Sequence, residues 1–140
     1  MKRNLFFTVL FLFFAQSCEL FVIKGKKILI EEQSHYTQKT PLGVVTIFIS
    51  ELENNNVLAA SKLLIKDDGR FLNATEQYEI QSDLARMSRF LAGKQITNQF
   101  FDTTSGVINV SLEFDYGKNK ARFATKEANS LFYILSYSRE

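Results

Sequence analysis

The stretch Val107-Ile108-Asn109-Val110-Ser111-Leu112-Glu113-Phe114-Asp115-Tyr116 decides the fold. Ile108, Val110, Leu112, Phe114 and Tyr116 alternate with Asn109, Ser111, Glu113 and Asp115. A period of two puts successive side chains on opposite faces of a strand, so this segment predicts a β-strand with one buried and one wet face. Working outward, a preceding strand is expected over Gln95 to Asp102, broken by Thr103-Thr104-Ser105-Gly106. Two more are expected at Lys120 to Thr125 and Leu131 to Tyr137. The turns Gly117-Lys118-Asn119 and Ala128-Asn129-Ser130 are short enough for hairpins, which predicts an antiparallel meander of four strands.

Before Gly93 the apolar period is that of a helix. Thr40-Pro41 opens the first, with Thr40 able to cap and Pro41 suited to the first helical position, where its missing N–H lacks a partner anyway. Val44, Phe48 and Leu52, flanked by Val45 and Ile49, give an apolar stripe at spacing four, and Asn54-Asn55-Asn56 ends it. A shorter helix is expected from Val57 to Ile65, stopping at Asp67-Asp68-Gly69. The third is the best specified. Asn73 and Glu76 form a capping-box pair, Ile80, Leu84, Met87 and Leu91 mark one face, and Gly93 supplies a left-handed end. Helices gathered before an antiparallel sheet predict an α+β fold: three N-terminal helices on about four strands.

The N-terminus carries an address. Met1 to Ser17, MKRNLFFTVLFLFFAQS, is basic at Lys2 and Arg3, apolar from Leu5 to Phe14, and ends in Ala15-Gln16-Ser17 before the only cysteine, Cys18. These ten residues, apolar but for Thr8, are half of what a spanning helix needs, and extension to Ile23 places Glu19 in hydrocarbon. The pattern predicts an export signal over residues 1–17. Simple cleavage after Ser17, leaving a free thiol, stays open beside lipidation of Cys18. Residues 18–39 are expected to be extended, with Leu20 to Ile23 and Ile28 to Ile30 as short strand-like runs around Lys24-Gly25-Lys26-Lys27, and residues 40–140 to form one domain.

Of 17 basic and 15 acidic residues, only Lys2 and Arg3 precede Cys18, so the mature chain carries about no net charge. That removes the electrostatic footprint of a nucleic-acid binder. The six glycines are scattered singly and form no phosphate cradle. His35, the only histidine, has Glu31 and Glu32 nearby but lacks a second His or a spare Cys, so no metal and no cofactor is expected. Ser61 and Ser82 lie on helices with no histidine partner. Asn73-Ala74-Thr75 and Asn109-Val110-Ser111 match the glycosylation triplet, which is common by chance.

Ala15-Gln16-Ser17-Cys18 resembles a loose bacterial lipobox, with Ala15 where that pattern favours Leu; the resemblance implies that Cys18 becomes the first mature residue and carries acyl chains. Glu19 is not the Asp that resembles an inner-membrane retention signal, which favours the outer membrane. The element order from Thr40 to Tyr137 resembles the nuclear transport factor two-like, cystatin-like superfamily, in particular its small bacterial lipoproteins. It is carried by the Phe48 to Leu52 stripe, the break at Glu53 to Asn56, the Val57 to Leu64 helix and the closing Leu131-Phe132-Tyr133-Ile134.

The resemblance implies a strongly curved sheet wrapped into a cone whose mouth often holds an apolar pocket. Phe48, Met87, Phe101, Leu112 and Tyr133 are its candidate lining, with Tyr78, Tyr116 and Tyr137 further candidates or packing residues. The superfamily includes isomerases and dehydratases, for which Asp102 and Asp115 are the candidate bases. The Tyr that a steroid-type isomerase carries in its first helix is missing here, and Phe48 stands near its place. The expectation is a lipid-anchored envelope protein facing the periplasm or exterior. It binds a small apolar ligand or an envelope protein without catalysis; the alternatives are a cone-fold enzyme with a carboxylate base, or an accessory protein whose sheet face at Asn109, Ser111 and Glu113 makes the contact.

Overall fold

The structure is a computed structural model that describes residues 37–140. Cys18, His35 and the segments expected over residues 1–17 and in the strand-like runs lie outside the described residues. The element order is α1 (Pro41–Glu53), α2 (Val57–Ser61), α3 (Ala74–Glu79), α4 (Gln81–Leu91), β1 (Ile96–Thr104), β2 (Val107–Phe114), β3 (Asn119–Ala128) and β4 (Leu131–Arg139). The strands form one antiparallel sheet in the order β1-β2-β3-β4. This is an α+β fold with its helices before the sheet.

Helix α1 begins as its sequence specifies. Thr40 is extended and its Oγ1 accepts the Gly43 N–H at 3.0 Å, with Pro41 in the first turn. Gly43 is required there by space: a Cβ at this position stands 2.0 Å from the Thr37 carbonyl oxygen and 2.7 Å from Thr40 Oγ1. The stripe Val44, Val45, Phe48, Ile49 and Leu52 is buried against the sheet. Phe48 meets Phe123 of β3 edge to face with ring centroids 6.0 Å apart, and Tyr137 of β4 at 5.5 Å. At its C-terminal end the Leu52 carbonyl accepts both the Asn55 N–H at 3.0 Å and the Ser88 hydroxyl of α4 at 2.9 Å, which ties the helix end to α4.

The expected third helix is two helices. Asn73 and Glu76 form the capping box, but the chain flattens at Ile80 to a ψ of −7°, and α4 restarts with no side-chain cap. Leu84, Met87 and Leu91 face the core as the stripe predicts. The second helix is also shorter than expected, ending at Ser61 rather than Ile65. Leu63 to Ile65 instead lie along β4: the Ile134 N–H donates to the Leu63 carbonyl at 2.9 Å and the Ile65 N–H to the Ile134 carbonyl at 3.0 Å. Nearer its start, the Phe132 N–H of β4 donates to the Gln38 carbonyl at 2.7 Å. The outward polar groups of this edge strand are therefore partly covered.

In β2, Val110, Leu112 and Phe114 are buried as the alternation requires, opposite Ala121 and Phe123 of β3. Tyr116 departs from it, being 94% exposed, because Asp115 and Tyr116 are left-handed turn residues (φ 50° and 60°) and the strand ends at Phe114. Thr125 is buried with its hydroxyl donating to the Ile108 carbonyl at 2.8 Å, so its one polar side-chain group costs no unmet hydrogen bond. The β1–β2 turn is Ser105-Gly106 alone, both left-handed at φ 52° and 79°, the mirror-image turn that matches the twist of a hairpin. Among the described residues no helix is long and apolar enough to cross a membrane.

Replacing Gly43 by Ala is expected to destabilise the protein by about 1 to 2 kcal/mol, even though Ala is the better helix former, because the added methyl displaces the Thr37–Thr40 cap. Urea unfolding checks the sign. Glu76 supplies a pH signature. Its carboxylate takes two bonds from Arg70 (2.8 and 2.9 Å), one from the Asn73 N–H (2.9 Å) and a 3.4 Å ion pair from Lys66. Arg70 above all, then the Asn73 N–H, hold its pKa down at about 2. The folded state favours the ionised form, so this contribution is complete above the ordinary carboxylate pKa of 4.5 and fades as pH falls towards 2. Thermal melts of wild type and Glu76→Gln should differ at pH 6 and converge towards pH 2.

Candidate functional site

Two surface grooves follow from how the sheet is covered. Because Val110, Leu112 and Phe114 turn towards the helices, Asn109, Ser111 and Glu113 share the opposite face of β2. The pairing sets Ser111 between Phe100 of β1 and Arg122 of β3, and Glu113 between Asn98 and Lys120. A groove of about 320 Å³ runs here, lined by Phe100, Ser111, Glu113, Lys120, Arg122 and the terminal residue Glu140, and reaching Leu112 and Ala121. Glu113 accepts from Lys120 Nζ at 2.8 Å and Asn98 Nδ2 at 3.0 Å. The lysine first, then the amide, pull its pKa below the usual range, while the same contact raises that of Lys120. Arg122 has no carboxylate within ion-pair distance among the described residues, which leaves its guanidinium free to take an acceptor from a partner.

The second groove, about 270 Å³, lies where α4 meets the end of β4 and is lined by Asp83, Arg86, Met87, Tyr137, Ser138 and Arg139. Asp83 and Arg86 pair at 2.6 Å, and Arg139 Nη1 donates to the Arg86 carbonyl at 3.4 Å. Burial first, and the Asp83 carboxylate second, push the Tyr137 hydroxyl up to about 12, with Arg86 opposing. Tyr137 is thus a neutral donor at any physiological pH.

The residues singled out from sequence do not converge. Phe48, Met87 and Leu112 belong to one tightly packed cluster and are nearly or wholly inaccessible. Tyr133 is buried on the other face of β4 beside Lys126, with its ring 5.1 Å from that of Phe71. Phe101 is 52% exposed on β1, at the opposite edge of the sheet. Asp102 stands opposite Asn109 near the turn of the β1–β2 hairpin and accepts from Thr104, two residues on, at 3.3 Å. Asp115 lies six residues further along from Asn109, about 20 Å away at the rise of a strand, where Asn119 Nδ2 approaches it at 3.5 Å. The two carboxylates share no space. Among the described residues no group of His, Cys, Asp and Glu is placed to hold a metal ion.

Sequence reasoning missed Phe100, Lys120, Arg122, Asp83 and Arg139. The signal was present in part: Lys120 and Arg122 fall on alternate positions of a strand, and of two adjacent aromatics on a strand, Phe100 and Phe101, one must leave the core face. A spectrophotometric titration should show one tyrosine ionising near 12, and Asp83→Asn should move that midpoint down towards 10. Since the folded state keeps Tyr137 neutral, stability is complete below pH 10 and falls as pH rises to about 12. No protein-family model matches the chain, and none of the curated proteins or solved structures compared with it matches either.

Proposed function

We propose that this chain is a lipid-anchored protein of the bacterial cell envelope, held by acyl groups on Cys18 and favoured at the outer membrane. Its domain, of the cone-shaped nuclear transport factor two-like kind, faces the periplasm or exterior and acts without catalysis by binding another envelope protein. One observation carries the choice of a protein over a small apolar ligand. Phe48, Leu52, Leu84, Met87, Leu91, Leu112, Phe114 and Phe123 close on one another between helices and sheet, where a ligand-binding cone needs a void.

The groove across β2 and β3 supports the same reading. It is open and charged, with the Arg122 guanidinium, unpaired among the described residues, and an aromatic wall at Phe100, the residue types that anchor protein interfaces. Ser111 and Glu113 form its floor on one side, and Asn109 continues their row beyond it. Reversing the charge at Arg122 is expected to weaken such a complex strongly while leaving the fold intact, since that side chain is exposed.

Native mass spectrometry of the full-length protein, released from host membranes in detergent, tests the reading. A stable protein adduct that weakens by about tenfold or more in Arg122→Glu is the expected outcome. A retained molecule of a few hundred daltons, unaffected by that change, replaces the protein partner with a ligand. Metabolic labelling with palmitate should mark the wild type and not Cys18→Ser; equal labelling of both refutes the anchor.

A further inference from the structure

The two edges of the sheet are treated differently. On β4 the outward N–H groups of Phe132 and Ile134 are taken up by Gln38 and Leu63. On β1 no such cover exists among the described residues. The tight Ser105-Gly106 turn makes Thr104 and Val107 the first hydrogen-bonded pair. Counting back, Asp102 and Phe100 turn their backbone groups to β2, and Gln99, Phe101 and Thr103 turn theirs outward. The strand is nine residues long, lies outside the helix layer and carries Asp102 as its one charge. Phe100 (54% exposed) and Phe101 (52%) stand on its two faces. Three usual protections of an edge strand, lysine, proline and shortness, are missing from it, and its one irregularity in register, between Ile96 and Asn98, leaves residues 98–104 regularly paired.

What fits a row of outward N–H and C=O groups is another extended chain, and the chemistry of β1 suits a copy of itself. We propose that β1 pairs antiparallel with β1 of a second copy, about a twofold axis through Phe100, joining two four-stranded sheets into one. In this register Gln99 and Phe101 exchange backbone hydrogen bonds across the seam. Phe100 faces Phe100 at a position between hydrogen bonds, where side chains are closest. The Asn98 amide stands opposite the Asp102 carboxylate on both sides, so the single charge of the strand meets a donor. An axis through Phe101 sets Asp102 against Phe100, and one through Asp102 sets like charges face to face. Only the Phe100 axis satisfies both the aromatic pair and the acid.

Cysteine trapping tests the register in the full chain carrying Cys18→Ser, so that an introduced thiol is the only one. Residues directly opposite between hydrogen bonds have the spacing a disulfide needs. Phe100→Cys should therefore form a reducible dimer under mild oxidation about tenfold faster than Phe101→Cys, at a similarly exposed position, or Tyr116→Cys, at a more exposed one. In a second arm, Asn98→Cys and Asp102→Cys chains should cross-link when mixed and not when oxidised separately. Equal rates at residues 100, 101 and 116 signify random collision and overturn the proposal. Absence of any cross-link in both arms overturns it too, and is the outcome expected if another segment of the same chain or a different protein covers β1.

Discussion

Everything in this domain depends on one aromatic contact, the wedge of Phe48 between Phe123 and Tyr137. Helix α1 has little polar reason to lie where it does; its stripe is held by apolar burial, and Phe48 is the piece that reaches both β3 and β4. With that ring seated, Leu52 arrives beside α4, and the Ser88 hydroxyl can cap the end of α1. Burying an aromatic of this size supplies roughly 1.5 to 3 kcal/mol from surface alone, with edge-to-face geometry adding to it. The same contact fills the centre of the molecule, so what stabilises the helix layer also removes room for a guest.

The two grooves accordingly lie at the rim and on the outer face of the sheet. On the outer face the polar groups are arranged in cross-strand rows: Asn98, Glu113 and Lys120 satisfy one another, while Arg122, two positions along β3, has no ion-pair partner among the described residues. On the helix side Arg70, Glu76 and Lys66 are locked together around the start of α3 and serve the loop that precedes it. A committed network stiffens its segment. An uncommitted guanidinium beside an exposed ring is what an interface uses.

How much was legible in the sequence follows from how local each signal is. The strand from Val107 could be read from alternation alone, and the Thr40 and Asn73 caps from residue type, because those interactions are made within a few positions. The split at Ile80 was not legible, since no proline or glycine marks it. Leu63 to Ile65 have an apolar pattern that suits a helix, and only the presence of β4 beside them draws them out to cover an edge. For the site, the expected cavity lining failed to gather because apolar residues on a stripe look alike whether they line a void or fill it. Phe100 was hidden for a related reason: which of two neighbouring aromatics faces outward is set by the hairpin register.

The meander has a further consequence for how the chain acquires its shape. Each strand pairs with the one before it across a turn of two to four residues, so the whole sheet can grow by successive short closures whose entropic cost is small. Seating Phe48 against Phe123 and Tyr137 is different, because it closes a loop of well over half the described chain. Strand zippering is thus the quick process and helix docking the slow one. Until that docking, Val110, Leu112 and Phe123 face water as a bare apolar sheet, the interval in which a nascent molecule most needs protection.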